Sequence, residues 1–170
     1  MLKELLLSTI LLSFAVPAMA DVTIGVINLQ KVLNTIKEGK EVNDKLKKTF
    51  DEKKEVLTKE EEKIKKAQEE YMKQAALLSA EAKRKKESEL QQNIIALQKK
   101  TMDYQKDISE LEAKLKKPIL DKVKAIVESA SEESKVDFTV EISTSPVVYA
   151  KNKKDITDQV IAAYDKKYGK

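Results

Sequence analysis

The hydrophobic pattern of this chain changes period along its length. Val22, Ile24 and Val26 alternate with Thr23 and Gly25, which predicts a half-buried strand. From Leu29 the spacing lengthens: Leu29, Val32, Leu33 and Ile36 mark one helix face, and Gly39 offers a bend after it. No Gly or Pro occurs between Gly39 and Pro118, and the apolar positions there fall into heptads. Phe50, Leu57, Ile64, Tyr71 and Leu78 recur seven apart, and the alternate seam positions are Leu46, Lys53, Glu60, Ala67 and Gln74. Half of this seam is polar or small. A second run, Leu90, Ile94, Leu97, Thr101, Tyr104, Ile108, Leu111 and Leu115, is better filled.

The two runs are out of phase. Leu78 and Leu90 are twelve apart, and Leu78 and Ile94 sixteen. Neither spacing is a multiple of seven, so a single straight helix would lose its seam where a hairpin would not. Ser79 suits the N-cap of a returning helix, with Glu81 in its first turn, where the helix dipole favours negative charge. The turn is therefore placed at Leu78–Ser79. Each arm then has some 40 residues, roughly 60 Å at 1.5 Å per residue. Lys83, Arg84, Lys85 and Lys86 decorate the first turns of the return helix, at the tip.

Pro118 is expected to interrupt or kink the return helix, after which Ile119, Val123, Ile126 and Val127 carry a new apolar face. Phe138, Val140 and Ile142 alternate again. Val148 and Tyr149 follow a Ser-Thr-Ser-Pro turn, so a hairpin of two short strands is predicted. Asp155 reads as the N-cap of a final helix through Tyr164, with Asp158 in capping-box position. The first strand and the two late strands would form one sheet. The fold class is α+β, with body segments at 21–36 and 118–170 and a helical arm at 37–117, its tip near 78–86. Short strands leave edges that need covering, and a closed symmetric oligomer would cover them. Val22, Ile24, Val26, Phe138, Val140, Ile142, Val148 and Tyr149 are the residues assigned to that oligomerisation body.

Composition sharpens this picture. Charged residues make up 36% of the 170 and aromatics 5%, lean for a compact globule but sufficient for helices sharing a narrow seam. The 33 basic residues nearly match the 29 acidic ones, which argues against a dedicated nucleic-acid binder. With no Cys and no His, thiolate and imidazole chemistry and disulfides are lost. No glycine-rich phosphate loop is present, so the reading is non-enzymatic, with no cofactor and no metal. Glu60, Glu61 and Glu62 lack calcium-loop spacing and read as a solvated face. Residues 1–20 combine Lys3, an apolar run from Leu5 to Val16 and Ala18-Met19-Ala20, the pattern of an export signal cleaved before Asp21. The expected location is the periplasm. Glu4 weakens the basic start, leaving an uncleaved anchor as the lesser alternative.

The layout resembles the Skp/OmpH family of periplasmic chaperones. The points of contact are "IGVINLQKVL", a charged hairpin, "KKPILDKVKAIVESA", "VDFTVEISTSPVVYA" and "KKDITDQVIAAY", which follow the family's order across nearly the whole mature chain. The resemblance implies a jellyfish-like homotrimer whose helical arms surround a cavity, holding unfolded outer-membrane proteins without ATP. On that reading Met72 and Leu77 near the tip are candidates for client contact, against casual exposure. Lys83, Arg84, Lys85 and Lys86 are either a solvated face or a site for an acidic membrane surface. Arg84 is the only arginine, so no arginine-based lipid site is carried over. Two other classes remain: an envelope coiled-coil adaptor that binds a folded partner, and a non-specific binder of anionic lipid or nucleic acid.

Overall fold

A computed structural model describes residues 21–169; the expected export signal lies outside them. The order is β1 (Ile24–Ile27), α1 (Leu29–Thr35), α2 (Lys37–Gln74), a 3₁₀ turn (Ala75–Leu77), α3 (Ala80–Ser134), β2 (Phe138–Glu141), β3 (Lys153–Asp155) and α4 (Thr157–Tyr168). The body is α+β and the arm is an antiparallel helical hairpin.

The three strands form one sheet in the order β2-β1-β3, with both neighbours parallel to β1. The parallel β1–β2 pair needs a long crossover, and here that crossover is the entire arm. Alternation along β1 turns Gly25 and Ile27 inward, to full burial, and leaves Ile24 and Val26 half-buried on the other face. Glycine is required at 25 because a Cβ there would lie 2.4 Å from Thr139 Oγ1, a hydroxyl hydrogen-bonded across to Ser131 of α3 at 2.7 Å.

The inner face packs on α1, the C-terminal half of α3, and α4. Their shared core includes Ile27, Val32, Ile36, Val123, Ile156, Val160 and Tyr164. Among the described residues, every fully buried large side chain belongs to this body. The arm carries only half-buried seam residues beyond it.

Four local expectations are corrected. First, β2 and β3 do not form a hairpin. The segment containing Val148 and Tyr149 is not a strand, and the second late strand is Lys153–Asp155. With β1 central, both its edges are filled in parallel, so residues 142–152 must connect one edge to the other. Pro146 in this connection offers no N–H for a ladder.

Second, Gly39 is not a bend. The break between α1 and α2 falls at Ile36, which is extended (ψ 148°) and fully buried. Gly39 lies inside α2, where a Cβ would meet the Leu33 carbonyl oxygen at 1.9 Å. Its role is close packing of the α1 end on α2.

Third, α3 runs through Pro118 from Ala80 to Ser134, 55 residues in all. The lost backbone hydrogen bond is outweighed where Ile119, Val123 and Ile126 lock the following turns into the core. Fourth, the N-cap of α4 is Ile156 rather than Asp155. Asp155 ends β3, and its carboxylate accepts from the Thr157 amide at 2.9 Å, so the side chain serves the helix start from one residue further out.

Candidate interaction surfaces

The arm begins where α2 and α3 leave the body. At this root the Glu38 carboxylate accepts from Lys122 Nζ at 2.7 and 2.8 Å and from the Tyr164 hydroxyl at 2.9 Å. One side chain thereby ties α2, α3 and α4 together. The Lys122 hydrogen bond holds the Glu38 carboxyl below the usual carboxylate range, against the opposing effect of burial. Burial pushes the Tyr164 phenol upward, as does its bond to Glu38. Lys122 also stands over the Tyr168 ring, 5.0 Å from its centre.

Further out, polar seam positions are cross-links. Lys53 reaches Asp107 at 2.7 Å and lies 3.9 Å from the centre of the Tyr104 ring. Glu60 pairs with Lys100, and the Tyr71 hydroxyl donates to Glu87. The pairs Glu38–Lys122, Lys53–Asp107, Glu60–Lys100 and Tyr71–Glu87 are all centred on Ser79–Ala80, so the polar contacts and the turn specify one register. The apolar seam of α3 is half-buried at every position from Leu90 to Leu115 that the heptad predicts. Along the outgoing side of the hairpin the seam takes Thr49 in place of Phe50, which is 51% exposed, and Ala75, the first residue of the 3₁₀ turn, in place of Gln74. An α-helix drifts against a strict heptad, and near the ends of the arm the neighbouring residue rotates into the seam.

The tip closes as expected. Leu78 is extended, and the Ser79 hydroxyl caps α3 by accepting from the Ala82 amide at 3.2 Å. Leu77, 88% exposed, ends the 3₁₀ turn. Met72 is also exposed, but lies on the flank of α2, in a groove shared with Gln68, Gln91 and Ile94. Leu77 does not line that groove. Lys83 is half-buried, and Arg84, Lys85 and Lys86 are exposed in the opening turns of α3. Lys86 approaches Glu89 at 3.7 Å. Lys83, Arg84 and Lys85 make no ion pair among the described residues.

The second surface is the outer face of the sheet. Parallel register sets Ile24 beside Phe138 and Val26 beside Val140. Ile24, Val26, Val140 and Ile142 line a concavity of about 350 Å³ together with Val147, Val148 and Tyr149. Val148 is fully exposed and Tyr149 is 82% exposed. Val22 and Phe138 are exposed as well, outside that concavity. Six of the eight residues assigned from sequence to an oligomerisation body thus line this concavity, Val148 and Tyr149 reaching it on a loop.

The root triad was missed in the sequence. Glu38 and Lys122 are ordinary members of charged helices, and nothing local marks them. The seam pairs carried only a partial signal: a turn at Leu78–Ser79 sets the two arms face to face, but Lys53 meets Asp107 and Glu60 meets Lys100, a few residues beyond the partners equidistant from that turn. No described helix is long and apolar enough to cross a membrane.

A small parallel sheet whose crossover is a long antiparallel hairpin defines a coiled-coil arm protein with an apolar-faced body. The chain belongs to the family described as Outer membrane protein (OmpH-like), whose model matches residues 23–164. Among solved structures it is similar to a candidate outer membrane chaperone (OmpH-like) from Caulobacter crescentus CB15. The TM-score is 0.64 and the identity 20%, over 89% of this chain and 88% of that one. No curated protein matches.

Proposed function

We propose that this protein is an ATP-independent periplasmic holdase, a homotrimer whose arms enclose unfolded outer-membrane proteins and prevent their aggregation. The observation that carries the reading is the pairing of a partly exposed apolar sheet face with an arm that has almost no core. The face of Ile24, Val26, Val140 and Ile142 is an apolar surface that a lone chain leaves wet, and copies meeting there would bring their arms around a common axis. Arms with polar seams flex at low cost. They would then offer many weak contacts, which sum through confinement rather than through hot spots.

Family membership and the fold shared with the Caulobacter protein support this function. They favour it over the adaptor, which has no use for flexible arms. A contact between the tip and an acidic membrane surface is favoured by one observation, the three cations at Lys83, Arg84 and Lys85, which have no ion-pair partner among the described residues.

The test dilutes a urea-unfolded outer-membrane β-barrel protein into buffer with the chain from Asp21 and follows light scattering. Suppression without nucleotide, saturating at one client per oligomer, is expected. A folded oligomer that leaves aggregation unchanged would overturn the holdase and favour the adaptor.

A further inference from the structure

From Ser88 to Ser109 one exposed flank of α3 carries no charge. Its residues follow at alternating spacings of three and four, so they share one helix face: Gln91, Ile95, Gln98, Met102 and Gln105 lie between the two serines, all exposed. The strip is roughly 30 Å long at 1.5 Å per residue. The other exposed rows of the same stretch each carry charge, with Lys99 and Lys106 on one, Asp103 and Glu110 on the next, and Lys100 and Asp107 beside the seam. In a chain that is 36% charged, this flank is set apart in kind. Near the tip it meets an open groove of about 480 Å³ across the hairpin, where Gln68 and Met72 of α2 join Gln91 and where the one charged lining residue, Glu87, accepts from the Tyr71 hydroxyl.

We propose that this strip is the surface on which the arm holds its client, and that its occupant is an unfolded, charge-poor polypeptide in extended form. The inference rests on the holdase reading and names the surface that reading leaves open. A glutamine amide both donates and accepts, so the strip complements unpaired backbone N–H and C=O groups, which an unfolded chain presents and a folded partner has already satisfied. Ile95 and Met102 interleave with the glutamines and offer apolar contact, in one case through a side chain that adapts its shape. A transmembrane β-strand alternates apolar and polar side chains, and it finds both kinds of contact along the strip without meeting a like charge. Charged partners gain nothing there.

The test compares Ile95→Glu/Met102→Glu with Gln92→Glu/Ala113→Glu. Both variants add two negative charges to exposed positions of α3, the second pair on a different row. Each new glutamate at 95 and 102 precedes a lysine by four residues (Lys99, Lys106), a spacing that supports the helix, and circular dichroism checks that the hairpin stays formed. Binding is read by anisotropy of a labelled, urea-unfolded β-barrel protein. The strip variant is expected to weaken binding about tenfold, and the control to stay within about twofold. A photo-reactive residue at Gln98 is expected to cross-link the client, and one at Lys106 to do so poorly. Equal binding by both variants would overturn the strip and leave the holdase standing. Cross-links from position 98 to a second copy of the chain in place of the client would also overturn it. Failure of the unsubstituted chain to bind would overturn the holdase reading itself, and the strip with it.

Discussion

Glu38 shows how one residue couples the body to the arm. Its carboxylate satisfies Lys122 and Tyr164 at once, from two other helices. Glu38→Gln keeps the shape and an acceptor but removes the charge. It should cost about 1 kcal/mol, the value of a charge-assisted contact discounted for partial exposure. The pH dependence follows from the direction of the shift. Glu38 is held below the ordinary carboxylate range, so its contribution is complete above that range and is lost as pH falls through the lowered folded value. Urea unfolding of both proteins across pH checks this, with the difference present at neutral pH and vanishing in acid. Equal stability at neutral pH would show that the root is held by packing alone.

At the scale of the element, the arm is a hairpin whose seam uses ion pairs where apolar residues would bind more tightly. Lys53 and Glu60 sit half-buried between the helices, and each spends a seam position on a contact that salt and water weaken. Replacing both with leucine should raise the thermal stability of the hairpin, since a hydrophobic pair in a seam outweighs a half-exposed ion pair. On the holdase reading the stiffened arms should capture large clients less well while still capturing small ones. Thermal unfolding followed by circular dichroism checks the first half, and light-scattering assays with clients of two sizes check the second. Unchanged capture of large clients would show that seam flexibility is not what admits them.

For the whole molecule, the question is what covers the outer face of the sheet. Val26 and Val140 are register partners at its centre. Val26→Glu would place a charge in the middle of any interface formed there, where an unpaired charge is costly. The expected outcome is a shift in mass by light scattering from oligomer to monomer, with the helix content of the arms retained. An oligomer of unchanged mass would place the interface elsewhere.

Much of this architecture was legible in the sequence because it depends on local rules. The strand at Ile24–Ile27, the heptads, the capped turn at Ser79 and the α+β class all follow from the spacing of apolar residues and from capping chemistry, which act over a few residues. The errors lie where distant segments compete for one position. PVVYA has strand composition, but β1 has only two edges, and Lys153–Asp155 takes the second of them. Gly39 reads as a bend, yet the Leu33 carbonyl lies against it inside α2, and Pro118 reads as an interruption or kink, yet the helix is not interrupted because the core holds the turns after it. The same holds for the surfaces: the sequence by itself determined which residues are apolar, charged or uncharged and how they recur along each helix. Only the tertiary structure decided that Glu38, Lys122 and Tyr164 meet, that Ile24, Val26, Val140 and Ile142 share one partly exposed face, and that Gln68 and Met72 adjoin Gln91, because each of these contacts joins residues that the chain's local preferences cannot relate.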